Sequence, residues 1–326
     1  MPDGSRWPRV TVVTPSYNQA EFIEETIRSV LLQGYSNLEY IIMDGGSTDG
    51  STDIIRKYAP WLSYWVSEPD DGQAGAIAEG WARATGDFLA YLNSDDTYLP
   101  GAIATAVSEL QSHQDAVAVC GGELVIDRDG YVLSCRLLPS ASLDDLLRFQ
   151  FIPQPAVFLR REALERVGGL DTSFDLVFDY ELWTRLAAHG SIRCVPSVLA
   201  ATRWYPETKT LSRRPQVLAE LTRVVGKVLE GPSGKTLSWA RRRRMWAELS
   251  LVSVSANLNE RPVDWPRILR AVWRSVESWP LTVPRLSSLV MYKAVVRPLA
   301  IRLGHWLRRV GLMLARDRVH WSNWRG

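Results

Sequence analysis

The chain has 326 residues, of which 46% are hydrophobic and 23% are charged, and its formal net charge is +2. This composition excludes disordered and fibrous proteins, and the length predicts a large domain with room for a second, smaller one. Three cysteines and four histidines exclude a disulfide framework and a zinc finger, so we expect a reducing, cytoplasmic location. No apolar run approaches the ~20 residues that cross a bilayer, and no signal peptide is expected at the start.

The first 120 residues alternate short β-rich segments with helical patterns. This alternation is typical of a parallel sheet covered by helices on both faces, so an α/β fold is predicted. The predicted strands cover 10–14, 40–43, 63–66 and 88–92, and the predicted helices cover 21–33, 51–58 and 73–84.

Beyond Gly101 the pattern is less regular and predicts a sheet that continues with mixed direction. From about Pro215 onward the pattern is almost wholly helical. We therefore place a domain boundary near Ser212, between an α/β domain over 1–212 and a helical region over 213–326. The elements predicted between Gly101 and Ser212 are a helix ending near 112, strands at 116–119, 156–159, 192–195 and 199–203, a hairpin over 123–136 that turns at Asp129 and Gly130, and a helix at 179–188.

Acidic and small polar residues follow each of the first four predicted strands. Ligands of open α/β sheets bind beyond the carboxyl ends of the strands, so these segments are expected to line one crevice. The segments are 14–18, 44–51, 68–73 and 93–96. Taken singly, 44–51 and 70–72 are better explained as turns that precede a helix N-cap.

Asp95 and Asp96 are adjacent carboxylates at the end of the fourth predicted strand. Like charges this close repel unless a cation compensates, and carboxylate oxygens are typical ligands of Mg²⁺ or Mn²⁺. We therefore predict a divalent metal site there. The chain has neither the Gly-x-x-x-x-Gly-Lys-Ser/Thr pattern of a P-loop nor a Gly-x-Gly-x-x-Gly pattern after the first strand, which disfavours P-loop hydrolysis and dinucleotide redox chemistry.

Five segments, in their order and spacing, resemble the motifs of the family-two inverting glycosyltransferases with the GT-A fold. These segments are 12–18, 44–51, 67–73, 92–96 and 178–183, and the resemblance spans residues 10 to about 210. The resemblance implies a GT-A, Rossmann-like, mostly parallel sheet flanked by helices, followed here by the helical C-terminal region. It also implies a nucleotide-sugar half over about 10–100 and an acceptor half over about 101–212.

The same resemblance implies that a nucleotide sugar binds along these strand ends. Pro15, Tyr17 and Asp44 would line the base and ribose. Asp95 would hold Mn²⁺ or Mg²⁺ on the diphosphate, with Asp96 as a second ligand. The full set expected to bind the nucleotide sugar is Thr14, Pro15, Tyr17, Asp44, Asp71, Gln73, Asn93, Ser94, Asp95, Arg203 and Lys209.

Asp179 falls where the family places its catalytic base, with Phe178 in place of the usual Glu. The alternative is a charged residue on the solvated face of a helix, because Asp179, Trp183 and Leu186 are at helical spacing. The other motifs favour the base, which would accept the proton of the acceptor hydroxyl and give inversion. Gln154 resembles a family position near the acceptor.

Four further positions bear on the diphosphate or on its metal ion. Arg203 and Lys209 either close over it as parts of a mobile basic loop or are plain surface charges. Many relatives carry His at the position of Tyr205, so Tyr205 is assigned no diphosphate role. Asn93 replaces the first Asp of the family's Asp-x-Asp motif, which shifts the expected metal ligation toward Asp95.

The basic residues are concentrated toward the end of the chain. Residues 1–209 carry 16 basic and 29 acidic side chains, whereas residues 210–326 carry 22 basic and 7 acidic ones together with eight tryptophans. The mixed apolar and basic pattern favours docking of 285–326 on an anionic membrane surface, with Trp306, Trp321 and Trp324 near the headgroups, over a helical cap. Nucleic acid is not expected as a partner, because no known nucleic-acid-binding module accompanies the basic residues.

The expected function is that of a metal-dependent inverting glycosyltransferase. It would move a sugar from a nucleotide-diphosphate sugar to a hydroxyl of a saccharide or lipid-linked saccharide, in cell-surface polysaccharide or glycolipid synthesis. The protein is expected in the cytoplasm, peripheral on the inner face of the plasma membrane. Two alternatives stay open: a sugar nucleotidyltransferase, whose Gly-rich basic first loop is missing here, and a non-catalytic membrane-associated scaffold that retains the fold.

Overall fold

The computed structural model describes residues 6–257, 265–278 and 320–323. The chain divides into two compact units. Unit 1 comprises Met1–Leu143, Phe151–Thr208 and Val319–Gly326, and unit 2 comprises Asp144–Gln150 and Lys209–Arg318. The chain leaves unit 1 after Thr208, a few residues before the boundary predicted at Ser212, and residues 320–323 belong to unit 1 again, which the sequence did not predict.

Unit 1 contains a mixed sheet. Its strands are β1 (Val10–Ser16), β2 (Leu38–Asp44), β3 (Tyr64–Ser67), β4 (Phe88–Tyr91), β5 (Thr97–Tyr98), β6 (Ala116–Ile126), β7 (Val132–Arg136), β8 (Val157–Arg160) and β9 (Ser191–Arg203). The strand order among the described residues is β3-β2-β1-β4-β8-β6-β9-β5, with β7 paired to β6. β1 is parallel to β2 and β4, and β2 is parallel to β3, whereas β8 is antiparallel to β4 and β6.

Helices separate the strands of unit 1 and dominate the described part of unit 2. They are α1 (Ile23–Leu31), α2 (Ser51–Tyr58), α3 (Gln73–Arg83), α4 (Ala102–Ser112), α5 (Leu143–Leu146), α6 (Arg161–Arg166), α7 (Phe178–Ala187), α8 (Lys209–Ser212), α9 (Arg214–Glu230), α10 (Pro232–Thr236), α11 (Trp239–Asn257) and α12 (Trp265–Ser278). Short 3₁₀ turns occur at Ala59–Trp61, Gln154–Ala156 and Trp321–Asn323. The mixed α/β architecture, with a mostly parallel first half, confirms the predicted fold class.

The central strand β1 is buried along its whole length because helices cover both faces of the sheet. Val12 packs on one face in a cluster with Ile23 and Ile27 of α1. On the other face, Val13 lies so close to α3 that a Cβ added at Gly80 would come within 2.6 Å of its side chain. Burial on both faces explains why this strand appears in the sequence as a continuous apolar run.

The segments predicted as two strands, 192–195 and 199–203, form the single strand β9. Pro196 lies inside β9, where the register of the parallel pair with β6 shifts between Cys120 and Gly122. Because a register shift leaves a backbone position out of the hydrogen-bond ladder, the strand accommodates a proline that would otherwise interrupt it. β6 is likewise longer than the predicted 116–119.

Most of the predicted membrane surface, 285–326, lies outside the described residues. Trp321, expected near lipid headgroups, instead packs beside a cluster of unit 1 that contains Leu124 and Ile126, and it hydrogen-bonds Glu25. The prediction is therefore wrong for Trp321. Among the helices of the described residues, none is both long and apolar enough to cross a membrane.

Candidate active site

The segments after β1 and β2 are joined into one rim of the candidate site. The backbone N–H of Asn18 donates to Ser47 Oγ at 2.7 Å, and Asn18 Oδ1 accepts from the N–H of Thr48 at 2.9 Å. Tyr17 lies on this rim and is 63% exposed, so its ring is open to a ligand, whereas Pro15 is buried beneath it. Two of the segments predicted to line the crevice are therefore held together.

Thr14 departs from its predicted role. Its side chain is fully buried, and its Oγ1 lies 3.0 Å from the hydroxyl of Tyr40 within the core of unit 1. Strand alternation explains this, because successive side chains of β1 point to opposite faces of the sheet. The prediction that Thr14 contacts the nucleotide is thus wrong for its side chain.

Asp44, the last residue of β2, is buried, and both its carboxylate oxygens accept hydrogen bonds. Oδ1 accepts from Ser47 Oγ at 2.6 Å, and Oδ2 accepts from the N–H of Ser47 at 2.9 Å and from Ser67 Oγ at 2.6 Å. Asp44 thereby ties the end of β2 to the following loop and to the end of β3. Its contact with a nucleotide base stays a prediction.

Asn93, in the segment after β4, belongs to a network of three amide side chains. Gln73 Nε2 donates to Asn93 Oδ1 at 2.7 Å, and Asn93 Nδ2 lies 3.3 Å from Gln154 Oε1. Gln154 Nε2 in turn donates to the carbonyl of Tyr91 at 2.9 Å. Three residues predicted from separate segments are therefore brought together, with Ser94 buried beside them and Asp71 exposed before α3.

Asp96 is buried, and the protein satisfies both oxygens of its carboxylate. Oδ1 accepts from the N–H of Arg203 at 2.9 Å, and Oδ2 lies 3.3 Å from Asn93 Nδ2. Its backbone carbonyl also accepts from Thr26 Oγ1 at 2.7 Å. These contacts make Asp96 a residue that fixes the loop, and they correct the expectation that it is a second metal ligand.

Asp95 is half-buried, and its Oδ2 accepts a hydrogen bond from the Tyr205 hydroxyl at 2.9 Å. Burial raises the pKa of Asp95, and burial together with the charge of Asp95 raises the pKa of Asp96 well above its usual range. Within the described part of the chain, no three His, Cys, Asp or Glu side chains gather around a point that suits a metal. The carboxylate of Asp95, beside the buried Asp96, fits Mg²⁺ or Mn²⁺, which commonly takes one or two carboxylates and completes its shell with substrate phosphates and water.

Asp179 lies in the first turn of α7 and is half-buried. Its Oδ1 accepts the N–H of Tyr180 at 2.7 Å, yet burial outweighs this bond and raises the pKa of Asp179 to about 6. Tyr91 lies within electrostatic range of both Asp179 and Asp96. Burial and the charges of these two carboxylates raise the pKa of Tyr91. These shifts favour a candidate base near the β4 segment over an acid on a solvated helix face.

The neighbouring acid of the same motif has a structural role. Glu181 is buried and forms an ion pair with Arg185 at 2.6 Å, and Arg185 Nη1 donates to the carbonyls of Val167 and Gly169. Gly168 and Gly169 both have positive φ angles, of 84° and 79°. The Gly-Gly pair is therefore a turn held by α7.

Arg203 is not part of an exposed loop. It ends β9 and is 3% exposed, and its Nη2 lies 2.5 Å from Glu25 Oε2. Its Nη1 donates to the carbonyl of Arg128 at 2.7 Å. Because its guanidinium is occupied inside the protein, the prediction that Arg203 closes over a diphosphate from a mobile loop is wrong. Lys209 begins α8 in unit 2, and its role stays a prediction.

Several residues at this site escape sequence reasoning. Tyr205 departs from the family pattern, so the sequence predicts no role for it, yet its hydroxyl donates to Asp95. Glu25 looks in the sequence like any acid on a solvated helix. Ser16 Oγ and Trp183 Nε1 are buried and lack a hydrogen-bond partner within the described part of the chain.

Comparison with known proteins places the sequence among glycosyltransferases. The model of glycosyl transferase family 2 matches residues 11–167. An uncharacterized glycosyltransferase of Mycobacterium tuberculosis is 32% identical over 196 residues, which cover 58% of this chain and 73% of the relative. TuaG of Bacillus subtilis, named for teichuronic acid biosynthesis, is 30% identical over 217 residues, which cover 62% of this chain and 86% of TuaG.

Solved structures share the fold. S. aureus TarS 1-349 in complex with UDP-GlcNAc has a TM-score of 0.62 at 16% identity, covering 96% of this chain and 95% of that one. The mannosyltransferase PcManGT from Pyrobaculum calidifontis, in complex with GDP-Man and Mn²⁺, has a TM-score of 0.55 at 20% identity, covering 89% and 87%. The fold is that of GT-A glycosyltransferases, and the sequence relatives carry the same activity in their names, so the chain belongs to glycosyl transferase family 2.

Proposed function

We propose that this glycosyltransferase uses a nucleotide-diphosphate sugar and a divalent cation, and that it inverts the configuration of the transferred sugar. The observation that carries the proposal is the pair of acidic groups around Tyr91: Asp179, with its pKa raised to about 6, and the Asp95–Asp96 segment. One group is suited to accept a proton near neutral pH, and the other is short of positive charge. Both are requirements of the proposed reaction.

The proposed reaction divides its work between these groups. Asp179 accepts the proton of the acceptor hydroxyl as the oxygen bonds to the anomeric carbon, and the bond from that carbon to the diphosphate breaks on the opposite face. One displacement of this kind inverts the anomeric centre. Mn²⁺ or Mg²⁺, when bound at Asp95, would supply positive charge for the leaving diphosphate. The network of Gln73, Asn93 and Gln154 would orient the donor beside Asp95.

The donor and acceptor classes are part of the proposal. The TarS structure holds UDP-GlcNAc and the PcManGT structure holds GDP-Man with Mn²⁺, so UDP- and GDP-sugars are the first donors to test. A relative named for teichuronic acid biosynthesis supports a saccharide or lipid-linked saccharide acceptor in cell-surface polysaccharide or glycolipid synthesis. Membership of the family disfavours the sugar nucleotidyltransferase and the non-catalytic scaffold.

Membrane association through unit 2 is the remaining part of the proposal, with the protein cytoplasmic and peripheral on the inner face of the plasma membrane. On α12, Leu269 is 65% and Trp273 is 70% exposed, beside the exposed Arg270. Exposed aromatic and basic side chains on one helix suit an anionic lipid surface.

Sedimentation with vesicles tests the membrane part of the proposal. The full chain should sediment with anionic vesicles, and Trp273→Ala should weaken this sedimentation more than Trp61→Ala does. Trp61 is the matched control, because it is an exposed tryptophan of unit 1. Equal sedimentation with neutral vesicles would oppose the proposal.

A donor panel tests the catalytic part. We expect transfer or slow hydrolysis from one UDP-, GDP- or dTDP-sugar in the presence of Mn²⁺ or Mg²⁺, with loss of turnover in Asp95→Ala and Asp179→Asn. Asp53→Asn is the control, because Asp53 is an exposed acid paired with Arg56. The anomeric configuration of the product, read by NMR, reports inversion. Full turnover in either site variant would refute the assigned roles.

A further inference from the structure

Hydrogen bonds connect the β4 segment to residues 320–323 through Glu25 of α1. Each oxygen of the Glu25 carboxylate has its own partner. Oε2 lies 2.5 Å from Arg203 Nη2, and Oε1 accepts the indole Nε1–H of Trp321 at 2.7 Å. Glu25 and Trp321 are 296 residues apart in the chain. The half-buried carboxylate therefore joins the end of the chain to a buried arginine.

Arg203, the partner of Glu25, also hydrogen-bonds the two aspartates of the candidate metal site. Its Nε donates to the carbonyl of Asp95 at 3.0 Å, and its backbone N–H donates to Asp96 Oδ1 at 2.9 Å. The guanidinium is planar, with its donors in a fixed fork. Its position therefore sets the peptide carbonyl of Asp95, while its backbone sets the carboxylate of Asp96. If the guanidinium loses its carboxylate partner, both aspartates lose part of their support.

The indole donor is itself held in place. The N–H of Trp321 donates to the carbonyl of Gly130 at 3.0 Å, and His320 forms an antiparallel bridge with Tyr131. The Trp321 ring also packs beside the apolar cluster that contains Leu124. Gly130 has φ +85°, and a Cβ there would collide with the His320 ring, so this close approach needs glycine. The hairpin turn thus positions the segment independently of Glu25.

We infer that Trp321 is a positioning residue for the metal and diphosphate site. Its indole N–H fixes Glu25, Glu25 fixes Arg203, and Arg203 holds the Asp95–Asp96 segment in its binding conformation. The inference rests on the proposed function only in assigning the cation to Asp95. It makes Trp321, in the described residues 320–323, a support of the donor site from outside the strand-end motifs.

Trp321→Phe is the test, because it removes the N–H donor and keeps an aromatic ring beside the cluster. Hydrogen–deuterium exchange of the full chain should be faster at 93–98 in this variant, and the Kd for UDP with MnCl₂, by calorimetry, should rise about three- to tenfold, the range expected for one hydrogen bond. Trp61→Phe, a substitution of an exposed tryptophan of unit 1, should change neither readout. A role in packing alone would leave both readouts unchanged in Trp321→Phe.

A double-mutant cycle separates the network from general destabilisation. If Trp321 acts through Glu25, adding Trp321→Phe to Glu25→Gln should worsen UDP binding by less than it does alone. Additive losses, or unchanged exchange at 93–98 in Trp321→Phe, would overturn the inference. If the wild type does not bind UDP with MnCl₂ but exchange at 93–98 still responds to Trp321→Phe, the positioning stands and only the proposed function fails.

Discussion

The ends of β2 and β4 both carry acidic residues, but the protein completes one end and leaves the other short of positive charge. Asp44, at the end of β2, accepts three hydrogen bonds from Ser47 and Ser67, all at 2.9 Å or less. After β4, Asp95 and Asp96 are adjacent, and burial raises the pKa of both. The two strand ends therefore have different roles. Asp44 holds the loops after β2 and β3 together, whereas the segment after β4 favours the binding of a cation.

An acidic residue at a strand end can therefore have a structural or a functional role, and the two roles look alike in the sequence. A buried carboxylate with short donors to both oxygens stabilises the fold, since removing it leaves those donors unpaired. A carboxylate whose pKa is raised by burial lowers stability at neutral pH and is retained for another reason, which is commonly function. The second description applies to Asp95 and also to Asp179.

Asp179→Asn should lower kcat by about 10³-fold, within the range of general base catalysis, because the amide cannot accept the acceptor proton. The measurement is single-donor turnover with the donor identified in the panel. Asp53→Asn should retain wild-type kcat. A loss of less than about tenfold in Asp179→Asn would place the base elsewhere.

Asp44→Ala should lower the free energy of unfolding by about 2 to 4 kcal/mol, because three donors of the half-buried Ser47 and Ser67 lose their buried acceptor. Asp95→Ala should stay within about 1 kcal/mol of the wild type, because it also relieves the repulsion with Asp96. Urea unfolding followed by circular dichroism measures both. Equal losses in the two variants would remove the contrast between the two strand ends.

Asp179→Asn should be more stable than the wild type at pH 7. The pKa of Asp179 is raised to about 6 in the folded protein from an ordinary value of 3.8, so the folded wild type is penalised once the carboxyl ionises. Stability from the protonated form is complete below about pH 4 and is lost as pH rises through about 6. Thermal unfolding should give a gain on the order of 1 to 3 kcal/mol at pH 7 and none near pH 4. A destabilised variant at pH 7 would contradict the burial penalty.

The pH profile of kcat should rise through an apparent pKa of about 6, because only ionised Asp179 accepts the proton. One unit below that pKa, turnover should fall about tenfold. The profile should be recorded with saturating donor and acceptor. A rate independent of pH between 5 and 7 would argue against Asp179 as the base.

Local patterns were sufficient to predict most of the first half of the sheet. β1 and its neighbours combine apolar strands with amphipathic helices, so each element was found with small errors at its ends. β9 was divided in two because Pro196 interrupts the pattern, and only its pairing with β6 shows why the strand continues. A local sequence pattern does not specify which distant strands pair with each other.

The candidate site was predictable where it follows strand ends and obscure where it depends on distant contacts. Gln73, Asn93 and Gln154 were each singled out by motif, and they lie in one network. Arg203 was expected on the surface, because its acidic partner Glu25 is far away in the chain. The contact between Glu25 and Trp321 spans nearly the whole sequence and leaves no periodic signal.

The most direct test of the account is calorimetric binding of UDP and GDP to the full chain with and without MnCl₂. We expect one of the nucleotides to bind in the presence of Mn²⁺ and to bind at least about tenfold more weakly in Asp95→Asn, because the cation loses its charged ligand. Asp53→Asn should bind as the wild type does. Absence of binding by either nucleotide in the presence of Mn²⁺, or unchanged affinity in Asp95→Asn, would contradict the account.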